Sequence, residues 1–370
     1  MKIVQLIARV NRGGTASWLK ELIIELRAEN HEVILYAGFV QDNETEDRCF
    51  TDLGGTRIQG LGRAISIKED FIAFQQIRKL LKSEKPDVVN THTAKAGVIG
   101  RLAVLSLGRN RPAIVHTFHG HLLYGYFSKF KVLIFTFIEK LLSINTDVII
   151  AAGEKVKKEL LNVGVGRTEQ YVIARPGIEI GHLKSKIEAR EKLGISQDAI
   201  VVGWLGRLAP IKRPDRVIEL AQELKDLIFV IGGEGELFSS LMKDLPGNVK
   251  LLGWTTPENI WAVSDIALLT SDNEAQPISL IEAGLAELPA VAENVGSVSE
   301  VIQEGVTGYL VNNFEKRRDS IRNLTSNSEL RIKMGDLAKE NCRVKFGKDQ
   351  FLAAHLKAYE LAIKRHNSKN

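Results

Sequence analysis

The sequence predicts an α/β chain of two domains, each a parallel sheet with helices packed on its faces. Three observations carry that prediction. Short, near-continuous apolar runs alternate with amphipathic helical stretches along almost the whole length, the pattern of repeated strand–helix–strand units with strands buried on both faces. The strand-like runs fall into two series, separated by a charged stretch over residues 176–198. At 370 residues the chain is also longer than one ordinary domain, for which about 100–200 residues is usual.

The elements follow in order. The start, Met-Lys-Ile-Val-Gln-Leu-Ile-Ala-Arg, reads as a strand, because its apolar run is interrupted by Gln5 and ended by Arg9. A secretory segment would need a longer apolar core and a small-residue cleavage site. Residues 32–36, 87–89, 113–115 and 147–150 continue the first series, with helical patterns such as 17–29 and 71–82 between them. The second series runs through residues 200–205, 227–231, 249–252, 265–269, 290–291 and 309–311. Pro176-Gly177 ends the first series, which places the domains at 1–176 and 198–345. Residues 349–365 form a last helix by the spacing of Leu352, His355, Leu356, Tyr359 and Ile363. Two open α/β domains that face each other put a cleft at the carboxyl ends of their strands, where such sheets bind ligands.

Composition excludes several function classes. Lys plus Arg number 50 and Asp plus Glu 45, a net charge of +5. So small an excess does not make a nucleic-acid binder, although it permits an anionic ligand or an anionic membrane surface. Cys49 and Cys342 lie far apart without metal spacing, which fits a reducing, cytoplasmic compartment and neither a disulfide scaffold nor a cysteine zinc site. No run approaches the roughly 20 apolar residues of a spanning helix.

The chemistry-bearing residues cluster after strands. In the second domain, Asp272-Asn273-Glu274 follows a strand and Pro277 opens a helix through Ile278, Leu280, Ile281 and Leu285. The N–H groups of Ile278, Ser279 and Leu280 would offer an anion site at that helix start. Glu282, one turn in, could take two hydrogen bonds from a vicinal diol such as ribose. Alone, the two glutamates read as well as a solvated pair flanking an ordinary helix. Gly206-Arg207-Leu208 follows the first strand of the domain, and Lys212 lies five residues after Arg207; both cations suit a diphosphate, or are ordinary loop cations. Gly232-Gly233-Glu234-Gly235 allows a tight turn and close backbone approach, but does not fit G-x-G-x-x-G.

In the first domain, Asn11-Arg12-Gly13-Gly14-Thr15 opens a helix with Thr15 or Ser17 as cap, and the paired glycines admit a phosphate or simply make a turn. Thr91-His92-Thr93-Ala94-Lys95 follows a strand, which turns His92 and Lys95 toward the ligand side. His116-Thr117-Phe118-His119-Gly120-His121 invites a metal reading, but metal sites want carboxylate or further histidine partners. His116 reads as a strand position pointing inward, and His121 is open. No Asp-x-Asp stands in these segments to hold a divalent ion.

The ordered set Gly206-Arg207, Lys212, Gly232-Gly233-x-Gly235 and Glu274-x7-Glu282, with Gly296-Ser297-x-x-Glu300 and Gly305-x-Thr307-Gly308 behind it, resembles the retaining glycosyltransferases of family 4 over essentially the whole chain. The resemblance implies the GT-B fold: two facing Rossmann-like domains, with a terminal segment 346–370 packing back on the N-terminal one. It implies a nucleoside-diphosphate-sugar donor, UDP ahead of GDP, as substrate, no metal or other cofactor, and transfer with retention. Arg207 and Lys212 would hold the diphosphate, Glu282 the ribose, Glu274 and His119 the transferred sugar, and the backbone near Trp254 the base. Gly13, Gly14, Gly206, Gly235, Pro277, Ile278 and Ser279 would complete the donor site, with His92 and Lys95 on the acceptor side. A polyprenyl-linked acceptor of envelope polysaccharide synthesis is implied.

From Phe127 to Leu142, ten of the sixteen residues are apolar, with Lys129, Lys131 and Lys140 among them. Such a helix is buried or pressed on lipid, and the basic flanks favour peripheral membrane contact. Three departures from the family pattern stand out. Ala275-Gln276 follows Glu274 where a glycine is usual, Glu287 replaces a second glycine, and Ser297 a third. The Ala275 and Glu287 changes are the only support for an inactive nucleotide-sugar-binding partner or sensor. An epimerase of the same fold would need an acid-rich cleft, and a dehydrogenase the glycine fingerprint.

Overall fold

The computed structural model of the chain describes residues 1–42, 44–62, 64–120 and 129–369. They form two compact units, Met1–Gly177 with Lys348–Asn370, and Ile178–Gly347.

In the first unit the strands are β1 (Lys2–Ile7), β2 (Glu32–Ala37), β3 (Thr56–Arg57), β4 (Val88–His92), β5 (Ala113–Phe118), β6 (Val148–Ala151) and β7 (Tyr171–Ile173). They pair in parallel in the order β3-β2-β1-β4-β5-β6-β7. The apolar runs become strands because both faces are covered: every residue of β5 is buried. The order reverses between β1 and β4, and Ile7 pairs with His92, which pairs with Thr117. The carboxyl ends of β1, β4 and β5 are therefore level at a topological switch point, the place where open α/β sheets take ligands.

The second unit holds β8 (Val201–Leu205), β9 (Ile228–Gly232), β10 (Val249–Leu251), β11 (Ile266–Leu269), β12 (Ala290–Glu293) and β13 (Gly308–Val311), all parallel in the order β10-β9-β8-β11-β12-β13. Its switch point lies between β8 and β11, so the loops after those strands share one end of the sheet.

The unit boundaries differ from the sequence reading. Residues 178–197 belong to the second unit rather than to a connector. Their charged composition reads as solvated, yet Arg190 of the helix Lys186–Leu193 is 2% exposed. Its guanidinium donates to the carbonyls of Val263, Gln197 and Ala199 and to Asp265 Oδ2 at 2.7 Å, so every N–H it buries is answered. At the other end Phe346 stays in the second unit's core, and the helix Lys348–Asn367 lies in the first unit, with Phe351, Ala358, Tyr359 and Ala362 in its core.

Two of the departures from the family pattern have a backbone explanation. Glu287 sits at φ +61°, the left-handed region that favours glycine, at a cost of about 1 kcal/mol. Lys339 pairs with its carboxylate at 2.6 Å. Ser297, at φ −92°, needs no glycine.

The helix Lys129–Ile144 is pinned from one side by a buried ion pair, Arg101 Nη2 donating to Glu139 at 2.6 and 2.7 Å. Its other side leaves Leu133, Phe137, Leu141 and Ile144 exposed. No helix among the described residues is long and apolar enough to cross a membrane.

Candidate active site

The second unit builds its site from the β8 loop outward. Gly206 N–H donates to Gly232 O at 3.1 Å, Leu208 N–H to Glu234 O at 2.9 Å and Gly233 N–H to Gly253 O at 2.7 Å. These bonds tie the loops after β8, β9 and β10 into one shelf. The shelf requires its glycines: Gly233 and Gly235 have φ of +139° and +155°, and a Cβ there would stand 1.9 Å from Gly206 O and 2.4 Å from Leu208 O. Arg207 is exposed on this shelf without a partner among the described residues. Trp254, after β10, is exposed.

Lys212 closes a single turn, Pro210–Lys212. Its carbonyl accepts from Thr270 Oγ1 at 3.0 Å, and that hydroxyl accepts from Trp204 Nε1 at 3.0 Å, so β8 and the end of β11 fix the lysine's backbone. Lys212 Nζ donates to Glu274 Oε1 at 2.6 Å, and Ser271 Oγ donates to the same oxygen at 2.6 Å. Glu274 is buried, and its carbonyl accepts from Ser297 N–H. Gly296 packs so close behind it that a Cβ would lie 1.7 Å from that carbonyl oxygen. A buried carboxylate is thus held in one orientation beside a lysine that is itself partly exposed.

The helix Ile278–Leu285 corrects the expected amide site. Pro277 is its cap rather than its first residue. Ile278 N–H donates to Gln276 O and Leu280 N–H to Pro277 O, both at 3.0 Å. The tight turn before the helix consumes those two donors. Of the three expected amides only Ser279 N–H lacks a partner among the described residues. Glu282 lies on this helix, and burial, with Glu258 nearby, pushes its carboxyl up to about 8. It is a neutral acid at neutral pH, able to donate one hydrogen bond and accept another.

In the first unit Gly13 caps the helix Gly14–Ala28 with its backbone at φ +147°, and neither Thr15 nor Ser17 supplies the expected side-chain cap. A Cβ at Gly13 would meet nothing within 4 Å, so the loop is open to close approach.

The acceptor-side assignments of His92 and Lys95 do not hold, because both side chains are spent internally. His92 is fully buried, its Nδ1 2.8 Å from His119 Nε2 and its Nε2 2.7 Å from Gln5 Oε1. Lys95 pairs with Asp70 at 2.6 Å and donates to the carbonyls of Gly60 and Ala64, anchoring the loop before the helix Ile67–Glu84. His116 points inward, bonded to Thr91 Oγ1 at 2.8 Å. His121 lies outside the described residues. Burial, with His355 nearby, lowers His119 to about 3, so this residue is a neutral imidazole. Among the described residues no group of three His, Cys, Asp or Glu side chains is placed to hold a metal ion.

Sequence reasoning missed Gln5, Asn90 and Tyr359, which surround the histidine pair. The one available signal was a glutamine inside the otherwise apolar strand Lys2–Ile7.

Comparison with known proteins gives the family and the fold. Residues 12–180 match the model of Glycosyltransferase Family 4, and residues 185–341 that of Glycosyl transferases group 1. An Escherichia coli relative, UDP-Gal:alpha-D-GlcNAc-diphosphoundecaprenol alpha-1,3-galactosyltransferase, is 30% identical over 310 residues, 77% of each chain. The chain belongs to this glycosyltransferase family. A second relative of the glycosyltransferase is the capsular polysaccharide biosynthesis glycosyltransferase CapM of Staphylococcus aureus, 24% identical over 77% of this chain and 81% of that one. The fold of this chain is that of Anabaena HepE, solved with UDP and glucose, at a TM-score of 0.79 and 18% identity over 96% of this chain and 98% of that one. The glycosyltransferase thus has the GT-B fold.

Proposed function

We propose that the glycosyltransferase transfers a hexosyl group from a UDP-sugar, with retention and without a metal ion, to a hydroxyl of a lipid-linked glycan in envelope polysaccharide synthesis. The observation that carries the reading is the Lys212–Glu274 pair at the second unit's switch point, with the unpaired Arg207 earlier in the loop after β8. Two cations there answer a diphosphate, whose negative charge grows as it leaves. The relatives' names support a uridine nucleotide and a lipid-linked acceptor.

In the reaction the bond from the anomeric carbon to the diphosphate oxygen breaks. The acceptor oxygen bonds to the same face of that carbon, and its proton passes to the departing diphosphate. No protein nucleophile is required. The side chains orient the donor and stabilise the leaving charge.

A binding screen of purified protein against UDP-, GDP-, ADP- and dTDP-sugars, with and without chelator, tests donor and metal together. Thermal stabilisation by UDP-sugars alone, unchanged by chelation, is expected. Stabilisation by another base, or its loss on chelation, overturns the corresponding part of the reading.

The acceptor side has its own support. Leu133, Phe137, Leu141 and Ile144 recur at helical spacing on one exposed stripe, and Lys140 on the same helix is exposed. Leu102 on the adjacent helix Ala94–Leu105 is exposed, as are Ile67 and Phe71 on the helix beside that one, Ile67–Glu84, and Ile65 just before it. Exposed apolar side chains on three neighbouring helices suit a lipid interface. The protein is expected to sediment with vesicles containing anionic lipid. Leu133→Ser with Phe137→Ser should weaken that partitioning by about tenfold or more, since burying each such side chain gains about 1.5–3 kcal/mol. Unchanged sedimentation would remove the surface from the proposal.

A further inference from the structure

The hydrogen bonds around His119 determine where its proton sits. Two side-chain amides converge on one phenol: Gln5 Nε2 lies 2.9 Å and Asn90 Nδ2 3.0 Å from Tyr359 Oη, on the C-terminal helix. Both amides donate there, so their oxygens face the other way. Asn90 Oδ1 accepts from Thr117 Oγ1 at 2.9 Å, and Gln5 Oε1 faces His92 Nε2 at 2.7 Å. An amide oxygen only accepts, so His92 carries its proton on Nε2 and presents a bare Nδ1. That lone pair lies 2.8 Å from His119 Nε2, which must therefore be the protonated nitrogen of His119. His119 Nδ1 is left as a buried acceptor with no partner among the described residues.

The residues behind His119 are enclosed, while His119 itself is half-buried. Gln5, Asn90, His92 and Tyr359 are fully buried, and Thr117 nearly so. Trp18 packs edge-on against His119 with ring centroids 5.0 Å apart, and His355 lies behind Trp18 at 5.7 Å. The charged or titratable groups around the pair are His355 and Tyr359 on the C-terminal helix and His116 on β5, with Arg101 beside His116. Among the described residues no carboxylate faces either ring, so none of them draws a second proton onto the pair.

We infer that Tyr359, Gln5 and His92 form a relay that holds His119 in the Nε2–H tautomer, so that its one remaining nitrogen accepts a hydrogen bond from a substrate hydroxyl. The inference rests on the reading that His119 meets the transferred sugar. It goes further by giving the contact a direction. The imidazole takes a hydroxyl, which can donate, and discriminates against a group that only accepts, such as a ring oxygen or carboxylate. It delivers no proton. Gln5, His92 and Tyr359 are positioning residues, since none of their polar atoms is left to touch substrate.

Two measurements on the full-length protein test this separately. Histidine labelled with nitrogen-15, assigned by the signal lost in His119→Asn, is expected to show a protonated Nε2 and a bare Nδ1 for His119 near neutral pH. A protonated Nδ1 overturns the relay. In calorimetric titrations Gln5→Leu should weaken a UDP-sugar by about fivefold while UDP stays within about twofold, because one hydrogen bond to the sugar is worth about 1 kcal/mol. Should that variant fail to fold, Tyr359→Phe removes a single oxygen and should give the same selective loss at about threefold. Equal weakening of UDP and UDP-sugar, or weakening of neither, overturns the positioning role. Failure of wild-type protein to bind UDP would instead overturn the donor reading, leaving the tautomer measurement to decide the relay.

Discussion

Lys212→Ala is expected to lower turnover by about 10²–10³-fold at saturating donor, the usual cost of removing one charge-stabilising donor from a transferring centre. The argument starts from its backbone. Thr270 and Trp204 clamp the turn that ends at Lys212, so the ammonium is delivered to one place, 2.6 Å from Glu274. The ammonium remains partly exposed while Glu274 is enclosed, so the lysine is shared between a buried carboxylate and whatever anion approaches. The same substitution leaves Glu274 with Ser271 as its one side-chain donor among the described residues. Unit stability should therefore fall by about 1–3 kcal/mol as well, the usual cost of an uncompensated buried polar group. Pairing Lys212→Ala with Glu274→Gln separates the two effects. The double variant should regain thermal stability, because no charge is left unpaired, and should stay inactive. Restored turnover in the double variant, or unchanged turnover in the single one, would show that the lysine is structural.

Glu282→Ala should weaken UDP-sugar binding by about 10–100-fold, as two lost hydrogen bonds to a diol would require. The charge state sharpens this prediction. Burial raises the folded carboxyl to about 8 from 4.5, so at neutral pH the folded chain holds a proton that the unfolded chain releases. The unfolded state therefore binds fewer protons between those two values, and stability falls as pH rises through that window. Glu282→Gln removes this penalty. It should melt like wild type near pH 4.5 and about 2–4 °C higher near pH 8, taking about 1 kcal/mol as the part that survives solvent screening. It should also bind donor nearly as well as wild type near neutrality, since an amide, like the neutral acid, offers one donor side and one acceptor side. A melting difference independent of pH would remove the neutral-acid assignment.

Much of this was legible in the linear chain. The two series of apolar runs became the two parallel sheets, because a strand covered on both faces must be apolar throughout. Lys212 after β8 and Glu274 after β11 met at one switch point, since loops at the carboxyl ends of adjacent strands are neighbours whatever their sequence separation. Other parts were hidden for identifiable reasons. Arg190 sits in a stretch that reads as solvated, and only its carbonyl partners from other segments make its burial tolerable. The amides of Ile278 and Leu280 counted as free donors until the turn at Gln276 and Pro277 claimed them.

The sequence by itself determined the fold class and which residue types stand at the ends of which strands, because period, apolarity and glycine spacing are local properties. Only the tertiary structure decided what those side chains do. His92, His119 and Lys95 are alike in standing at or just after the ends of strands of the first sheet, yet one is locked in the core, one keeps a single bare nitrogen and one holds a loop. The difference comes from residues that sequence proximity does not bring near them, Gln5 on β1 and Tyr359 on the C-terminal helix among them. A side chain's free valences are those its neighbours leave over, and the fold chooses the neighbours.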